Sequence, residues 1–219
     1  MYYLNQLINR YPSLILAKKD IGSAYECILQ SYKKDGKLLI AGNGGSSADS
    51  EHMAGELMKE FTIPRTLNQK LKKKLIETDE SRGEFLANTL EMPLPAIPLT
   101  GMDSFSSACL NDMKCDIVFA QKVLALGKKG DVFLGISTSG NSQNIVDAAI
   151  VAKALDMNVI GMTGVERSKL SEISDICIRV PEKETYRIQE LHLPIYHCIC
   201  QMLESYFFEE AKDGKRASK

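Results

Sequence analysis

Short apolar runs alternate with amphipathic stretches along the chain, and this alternation is what most limits the folds open to it. Strands separated by helices do not pair through tight hairpins. They need crossover connections, which build a parallel sheet covered on both faces. Ile21 to Lys34 reads as a helix, with Ala24, Ile28, Leu29 and Tyr32 at helical spacing and Asp35-Gly36 ending it. Lys37 to Ala41 reads as a buried strand, and Ser47 to Phe61 as a helix with Met53, Ala54, Leu57, Met58 and Phe61 near one face. Ala96 to Thr100, Asp131 to Ile136, Asn158 to Thr163 and Asp175 to Val180 read as further strands. Asp116 to Leu126 and Asn144 to Leu155 are helical, and a long last helix runs from about Arg187 to Ala211.

Composition narrows the function. The chain has 219 residues, 44% hydrophobic and 25% charged, as a soluble globular protein does. That length holds one large domain or two small ones. Lys plus Arg is 27 and Asp plus Glu is 28, so the net charge is −1, which argues against a dedicated nucleic-acid binder. Trp is absent and aromatics are 7%, leaving little for a stacking platform. Apolar runs such as Leu38-Leu39-Ile40-Ala41 fall far short of the ~20 residues of a membrane span. The first residues, Met1-Tyr2-Tyr3-Leu4-Asn5-Gln6, show no signal-peptide pattern, and a cytoplasmic location is expected. The six cysteines form no CxxC pair and read as free thiols in a reducing compartment.

One segment breaks the rhythm. Thr62 to Pro95 is too long for an ordinary connection and is rich in Lys, Arg and Glu. Leu67, Leu71, Leu75 and Ile76 suggest a helical piece of its own, either a solvated surface helix or a lid or subunit contact. Residues 212–219 read as a polar, flexible tail.

Two strand ends carry anion-binding chemistry. Ala41-Gly42-Asn43-Gly44-Gly45-Ser46-Ser47 joins a strand to a helix. Glycines there let the backbone approach an anion, and the helix start offers free N–H groups. A tight turn with a helix cap explains this loop equally well, and it is neither a Walker loop nor a GxGxxG fingerprint. Ile136-Ser137-Thr138-Ser139-Gly140-Asn141-Ser142 is the second. An N-cap accounts for one or two of its hydroxyls but not for four, so a phosphate site is the better reading. The loop has no Lys or Arg, which suits a phosphomonoester rather than a nucleoside triphosphate. His52 and Glu56 stand four apart on one helix and face the same way, as a metal pair or an acid and base do. Gln189 and His197 are eight apart on the last helix, with His192 between them. A lone histidine on an apolar helix is usually structural, but all three histidines fall in these two segments.

Gly42-Asn43-Gly44-Gly45-Ser46, His52 and Glu56, Asn111-Asp112, the Ser137 to Ser142 loop, and Arg187-Ile188-Gln189-Glu190 with His192 and His197 follow the order seen in bacterial phosphoheptose isomerases. The chain resembles that branch of the sugar-isomerase (SIS) family from about Ile21 to Phe208. The hydroxyl loop marks the SIS superfamily; the His52, Glu56, Gln189 and His197 set is far more specific.

The resemblance implies a three-layer αβα sandwich with a flavodoxin-like parallel sheet. It divides the chain into an N-terminal helical region over 1–34 and a SIS domain over 35–211 with an insert at about 62–95. It implies an aldose–ketose isomerase that converts sedoheptulose 7-phosphate to D-glycero-D-manno-heptose 7-phosphate, in heptose and lipopolysaccharide synthesis. It implies a homotetramer with active sites at subunit contacts, no nucleotide cofactor, and no membrane or nucleic-acid partner. By position, Asn43, Gly44, Gly45, Ser46, Asn111, Asp112, Ser137, Thr138, Ser139, Ser142, Glu56 and Gln189 are similar to substrate-binding residues. His52, Glu56, Gln189 and His197 are similar to the zinc ligands of some members, and Glu56 and His197 to the acid/base pair. Two features depart from the family: the 62–95 segment lengthens a connection, and Tyr186 stands where many members have Asp. A non-catalytic SIS relative that binds a replication initiator, and an isomerase of another phosphosugar, are the alternatives.

Overall fold

The computed structural model describes residues 1–113 and 117–209. Five parallel strands form one sheet in the order β2-β1-β3-β4-β5. They are β1 (Leu38–Gly42), β2 (Ala96–Pro98), β3 (Val132–Ile136), β4 (Asn158–Thr163) and β5 (Ile176–Arg179). All five residues of β1 and of β3 are buried, as parallel strands covered on both faces must be. Side chains alternate between the two faces. Leu38, Ile40, Val132, Leu134, Ile160 and Met162 point into one core, and Leu39, Ala41, Phe133 and Val159 into the other.

The first core is covered by α1 (Tyr2–Arg10), α2 (Lys18–Tyr32), α3 (Gly45–Met58) and α10 (Thr185–Glu204). The second is covered by α7 (Val118–Leu126), α8 (Gln143–Ala154) and the short α9 (Lys169–Ile173). The expected αβα sandwich is therefore present, and β4 has the expected bounds. The N-terminal segment holds one helix more than its pattern suggests: α1 precedes a 3₁₀ turn over Pro12–Ala17, and Leu4, Leu7 and Leu14 enter the first core. The last helix is continuous to the last described residue, Glu209. Its α-helical part stops at Glu204 and a π-helical turn covers Ser205–Glu209; Ala211 and the tail at 212–219 lie outside the described residues. Asp116 and Cys115 also lie outside them, and the described part of α7 starts at Val118.

The 62–95 segment contains α4 (Gln69–Thr78) and α5 (Glu80–Thr89), an antiparallel-like pair joined by a single residue. Asn68 and Asp79 cap them by accepting from Leu71 N and Arg82 N, at 2.9 and 2.8 Å. No residue of α4 is buried, so it is a surface helix; Leu71 and Ile76 are exposed, and the anchor is Leu67, just before it. The helix α6 (Asp103–Asp112) follows β2. Among the described residues, no helix is long and apolar enough to cross a membrane.

Candidate active site

The strand order reverses direction at β1. From β1 the chain crosses to β2 on one side, while β3, β4 and β5 extend on the other. In open parallel sheets, ligands bind in the crevice at such a switch point, beyond the carboxyl ends of the strands. β1 and β3 pair in register to Gly42 opposite Ile136, so the Gly42–Ser46 loop and the Ser137–Ser142 loop emerge side by side. The side chains of Asn43 and Asn144 bond reciprocally across the gap, 3.0 Å in each direction. Gly44 (φ +55°) and Gly140 (φ +65°) take left-handed conformations that let each loop turn sharply. Asn43, Gly44 and Gly45 are exposed, and Ser46 lies beneath them, 3% exposed.

In the hydroxyl loop, Ser137 Oγ and Ser142 Oγ are 3.0 Å apart, and Asn141 N donates to Ser139 Oγ at 3.2 Å. Ser142 occupies the N-cap of α8, yet its side chain makes no cap bond. The hydroxyl is therefore not consumed by the helix, which removes the plain capping explanation for it. Lys169 N donates to Asn141 Oδ1 and Leu170 N to Gly140 O, fixing the loop against α9.

α3 and α10 lie side by side and run the same way, and the rest of the candidate residues line their seam. Gln189 is level with Gly45: a Cβ added at Gly45 would come within 2.6 Å of Gln189 Nε2. One to two turns on, the Tyr196 hydroxyl meets Asp49 Oδ1 at 3.3 Å and His52 Nδ1 at 3.0 Å. His197 Nε2 then lies 3.5 Å from His52 Nε2, and His52 Nε2 lies 3.1 Å from Glu56 Oε1. The three atoms fall within 4.8 Å of one another. A tetrahedral zinc site with bonds of ~2.0–2.1 Å has ligand–ligand edges of about 3.3 Å, so the trio fits a zinc ion by spacing and by its N and O donors. Gln189 stands on the same seam, two turns before His197 on α10, with its amide against Gly45.

The electrostatics suit a neutral imidazole. Burial, together with His52 alongside, holds His197 below its ordinary value, partly opposed by Glu56. His192 has a different role. It is fully buried, its Nε2 faces Thr163 O at 3.4 Å, and burial drops it to about 4, so it is a neutral core residue. Burial raises Asp49, while the Tyr196 hydroxyl and His52 pull it back. Lys59 Nζ is 3.5 Å from the other Glu56 oxygen, Oε2.

Asn111 and Asp112 are exposed at the end of α6, where the Asn111 amide donates to Asp112 Oδ1 at 2.7 Å. Tyr186, 56% exposed, accepts from Arg187 Nε at 3.1 Å. Sequence reasoning missed Asp49 and Tyr196. The first stands one turn before His52 and the second beside His197, which is a usable signal. It also missed Arg65, whose guanidinium donates to the Glu56 and Leu57 carbonyls at 2.9 and 2.6 Å and pairs with Glu204 at 2.8 Å.

The comparisons with known proteins agree with this geometry. A model of the SIS domain matches residues 81–164. The chain is 40% identical over 185 residues to the phosphoheptose isomerase of Helicobacter hepaticus, covering 84% of this chain and 81% of the relative. It is 38% identical over 210 residues to that of Neisseria meningitidis, covering 91% and 93%. Its structure superimposes on phosphoheptose isomerases from Neisseria gonorrhoeae (TM-score 0.69, 32% identity, covering 92% of this chain and 98% of that one) and Francisella tularensis (TM-score 0.70, 30% identity, 94% and 100%). The chain belongs to the phosphoheptose isomerase family.

Proposed function

We propose that this chain interconverts sedoheptulose 7-phosphate and D-glycero-D-manno-heptose 7-phosphate through an enediol, supplying heptose for lipopolysaccharide or another surface glycan. The observation that carries this reading is the convergence of His52, Glu56 and His197 on the seam that starts at the two anion-binding loops. Isomerisation needs a base and an acid on either side of a two-carbon unit. The trio supplies a carboxylate and imidazoles at one end; the loops supply hydroxyls and helix-start N–H groups at the other.

In this reading Ser137, Thr138, Ser139 and Ser142 hold the phosphate with Asn43, Gly44, Gly45 and Ser46, and Gln189, Asn111 and Asp112 hold the polyol between. Glu56 removes the proton from C1 of the ketose and returns it to C2, while His197 moves a proton between O1 and O2. His52, Glu56 and His197 would hold zinc, which when bound polarises the carbonyl and stabilises the enediolate. The second carboxylate oxygen of Glu56, the one facing Lys59, is the one assigned to the carbon-bound proton.

Homotetramer assembly with sites at subunit contacts belongs to the same reading, supported by the exposed Tyr2, Ile15 and Leu16 at 67%, 54% and 85%. A cytoplasmic location belongs to it as well. A non-catalytic binding role is disfavoured because it gives no reason for the trio to converge. An NMR assay of the purified protein with sedoheptulose 7-phosphate, with and without EDTA, and with ribulose 5-phosphate as control, tests the proposal. Turnover of the heptulose phosphate alone supports it. No turnover with zinc supplied, or faster turnover of the pentulose, contradicts it.

A further inference from the structure

The residues around the trio include a pair that the isomerase chemistry does not use. Tyr196 is fully buried, and its ring lies edge-on against both imidazoles, with centroids 5.6 Å from His52 and 4.9 Å from His197. Its hydroxyl has two neighbours, His52 Nδ1 at 3.0 Å and Asp49 Oδ1 at 3.3 Å. The other Asp49 oxygen, Oδ2, is buried with no hydrogen-bond partner among the described residues. A half-satisfied buried carboxylate costs stability, so its presence beside a histidine of the site calls for a functional reason.

We infer that Tyr196 and Asp49 are positioning residues that fix the proton of His52 on Nδ1 and leave Nε2 bare for a metal ion. A phenol has one proton to give. An ionised carboxylate only accepts, so Tyr196 donates to Asp49. The phenol oxygen then accepts, and the group facing it is His52 Nδ1–H. His52 Nε2 is left with its lone pair directed at the space it shares with Glu56 Oε1 and His197 Nε2. The opposite arrangement, with the phenol donating to Nδ1, puts the hydrogen on Nε2. His52 then merely donates to Glu56 at 3.1 Å and is lost as a ligand. Groups that hold a ligating histidine by its far nitrogen set its tautomer and ring angle, and their loss costs about 10- to 100-fold in metal affinity.

This inference rests on the metal reading of the trio, and the test separates the two. Tyr196→Phe removes the hydroxyl and keeps the packed ring. Zinc affinity of the purified wild type and the variant is measured by competition with a chromophoric chelator. The tautomer of His52 is read in the metal-free proteins by NMR of ¹⁵N-labelled histidine, where only three histidines need assignment. The expected result is an Nδ1–H tautomer in the wild type, its loss in Tyr196→Phe, and zinc binding weaker by about 10- to 100-fold, with the metal-free variant still unfolding in one cooperative transition at a somewhat lower midpoint. An Nε2–H tautomer in the wild type overturns the inference, as does a variant with an unchanged tautomer and zinc affinity. A wild type that takes up no zinc overturns the metal reading, and the tautomer measurement then decides the relay on its own.

Discussion

Replacing Arg65 with Ala tests the anchor that holds the two site helices together. The Arg65 and Glu204 side chains are both 0% exposed and meet at 2.8 Å. Arg65 Nη2 and Nη1 donate to the Glu56 and Leu57 carbonyls, which lie at the C-terminal end of α3 where helices leave carbonyls unpaired. Glu204 in turn accepts from Phe61 N, Thr62 N and Thr62 Oγ1 at 2.7–2.8 Å, and the Phe61 ring packs on His197 at 5.3 Å. The pair thus ties the end of the helix bearing His52 and Glu56 to the end of the helix bearing His197. Removing one partner of a buried pair costs about 3–5 kcal/mol, a large share of the roughly 5–15 kcal/mol that holds a domain together. At about 2–4 °C per kcal/mol for a chain of this size, the melting temperature should fall by about 6–20 °C. Adding Glu204→Gln removes the stranded charge but keeps an oxygen for the Phe61 and Thr62 N–H groups. The double variant should therefore be more stable than Arg65→Ala alone. Calorimetry and urea titration measure both. A loss under about 1 kcal/mol for Arg65→Ala, or strictly additive losses in the pair, would mean that the buried pair does not anchor the two helices.

Three further outcomes follow from the same geometry. Ser137→Ala and Ser139→Ala should each raise KM by about 10- to 100-fold, since a hydrogen bond to a charged group is worth ~1.5–3 kcal/mol; unchanged KM in both moves the phosphate elsewhere. Gly45→Ala should leave the fold intact but displace the Gln189 amide, with which its Cβ collides, so steady-state kinetics should show a raised KM with an unchanged melting temperature. Native His192 resists protonation down to about 4, whereas the unfolded chain takes up the proton near 6.5. The unfolded state therefore binds more protons between those values, and stability is lost as pH falls through that window, by roughly 3 kcal/mol in all. Glu204, held below its ordinary value mainly by the Phe61, Thr62 and Arg65 donors against the cost of burial, adds a loss only below about 4.5. Denaturation of His192→Gln against pH should show a flattened slope between pH 6.5 and 4.

The parallel sheet was legible because each of its strands is a contiguous apolar run, and β4 from Asn158 to Thr163 has its boundaries written in the residues on either side. The hydroxyl loop and the His52–Glu56 pair were legible because both are local patterns, over six residues and one helical turn. What is joined through space was not. Arg65 and Glu204 are 139 residues apart, and nothing in either neighbourhood announces a buried ion pair. Asp49 and Tyr196, 147 apart, acquire their roles only once α3 and α10 lie parallel. The helix α1 went unread because Tyr2–Arg10 carries only Leu4, Leu7 and Ile8 as buried positions among polar residues.

The proposed mechanism requires Glu56 to carry a proton between neighbouring carbons of a phosphate-anchored sugar. Incubating sedoheptulose 7-phosphate with the enzyme in D₂O, and reading the aldose product by NMR and mass spectrometry, tests it most directly. The wild type should place deuterium at C2 of the product. Glu56→Gln should lose both exchange and turnover, with the melting temperature retained. Undiminished turnover and C2 labelling by Glu56→Gln would contradict it.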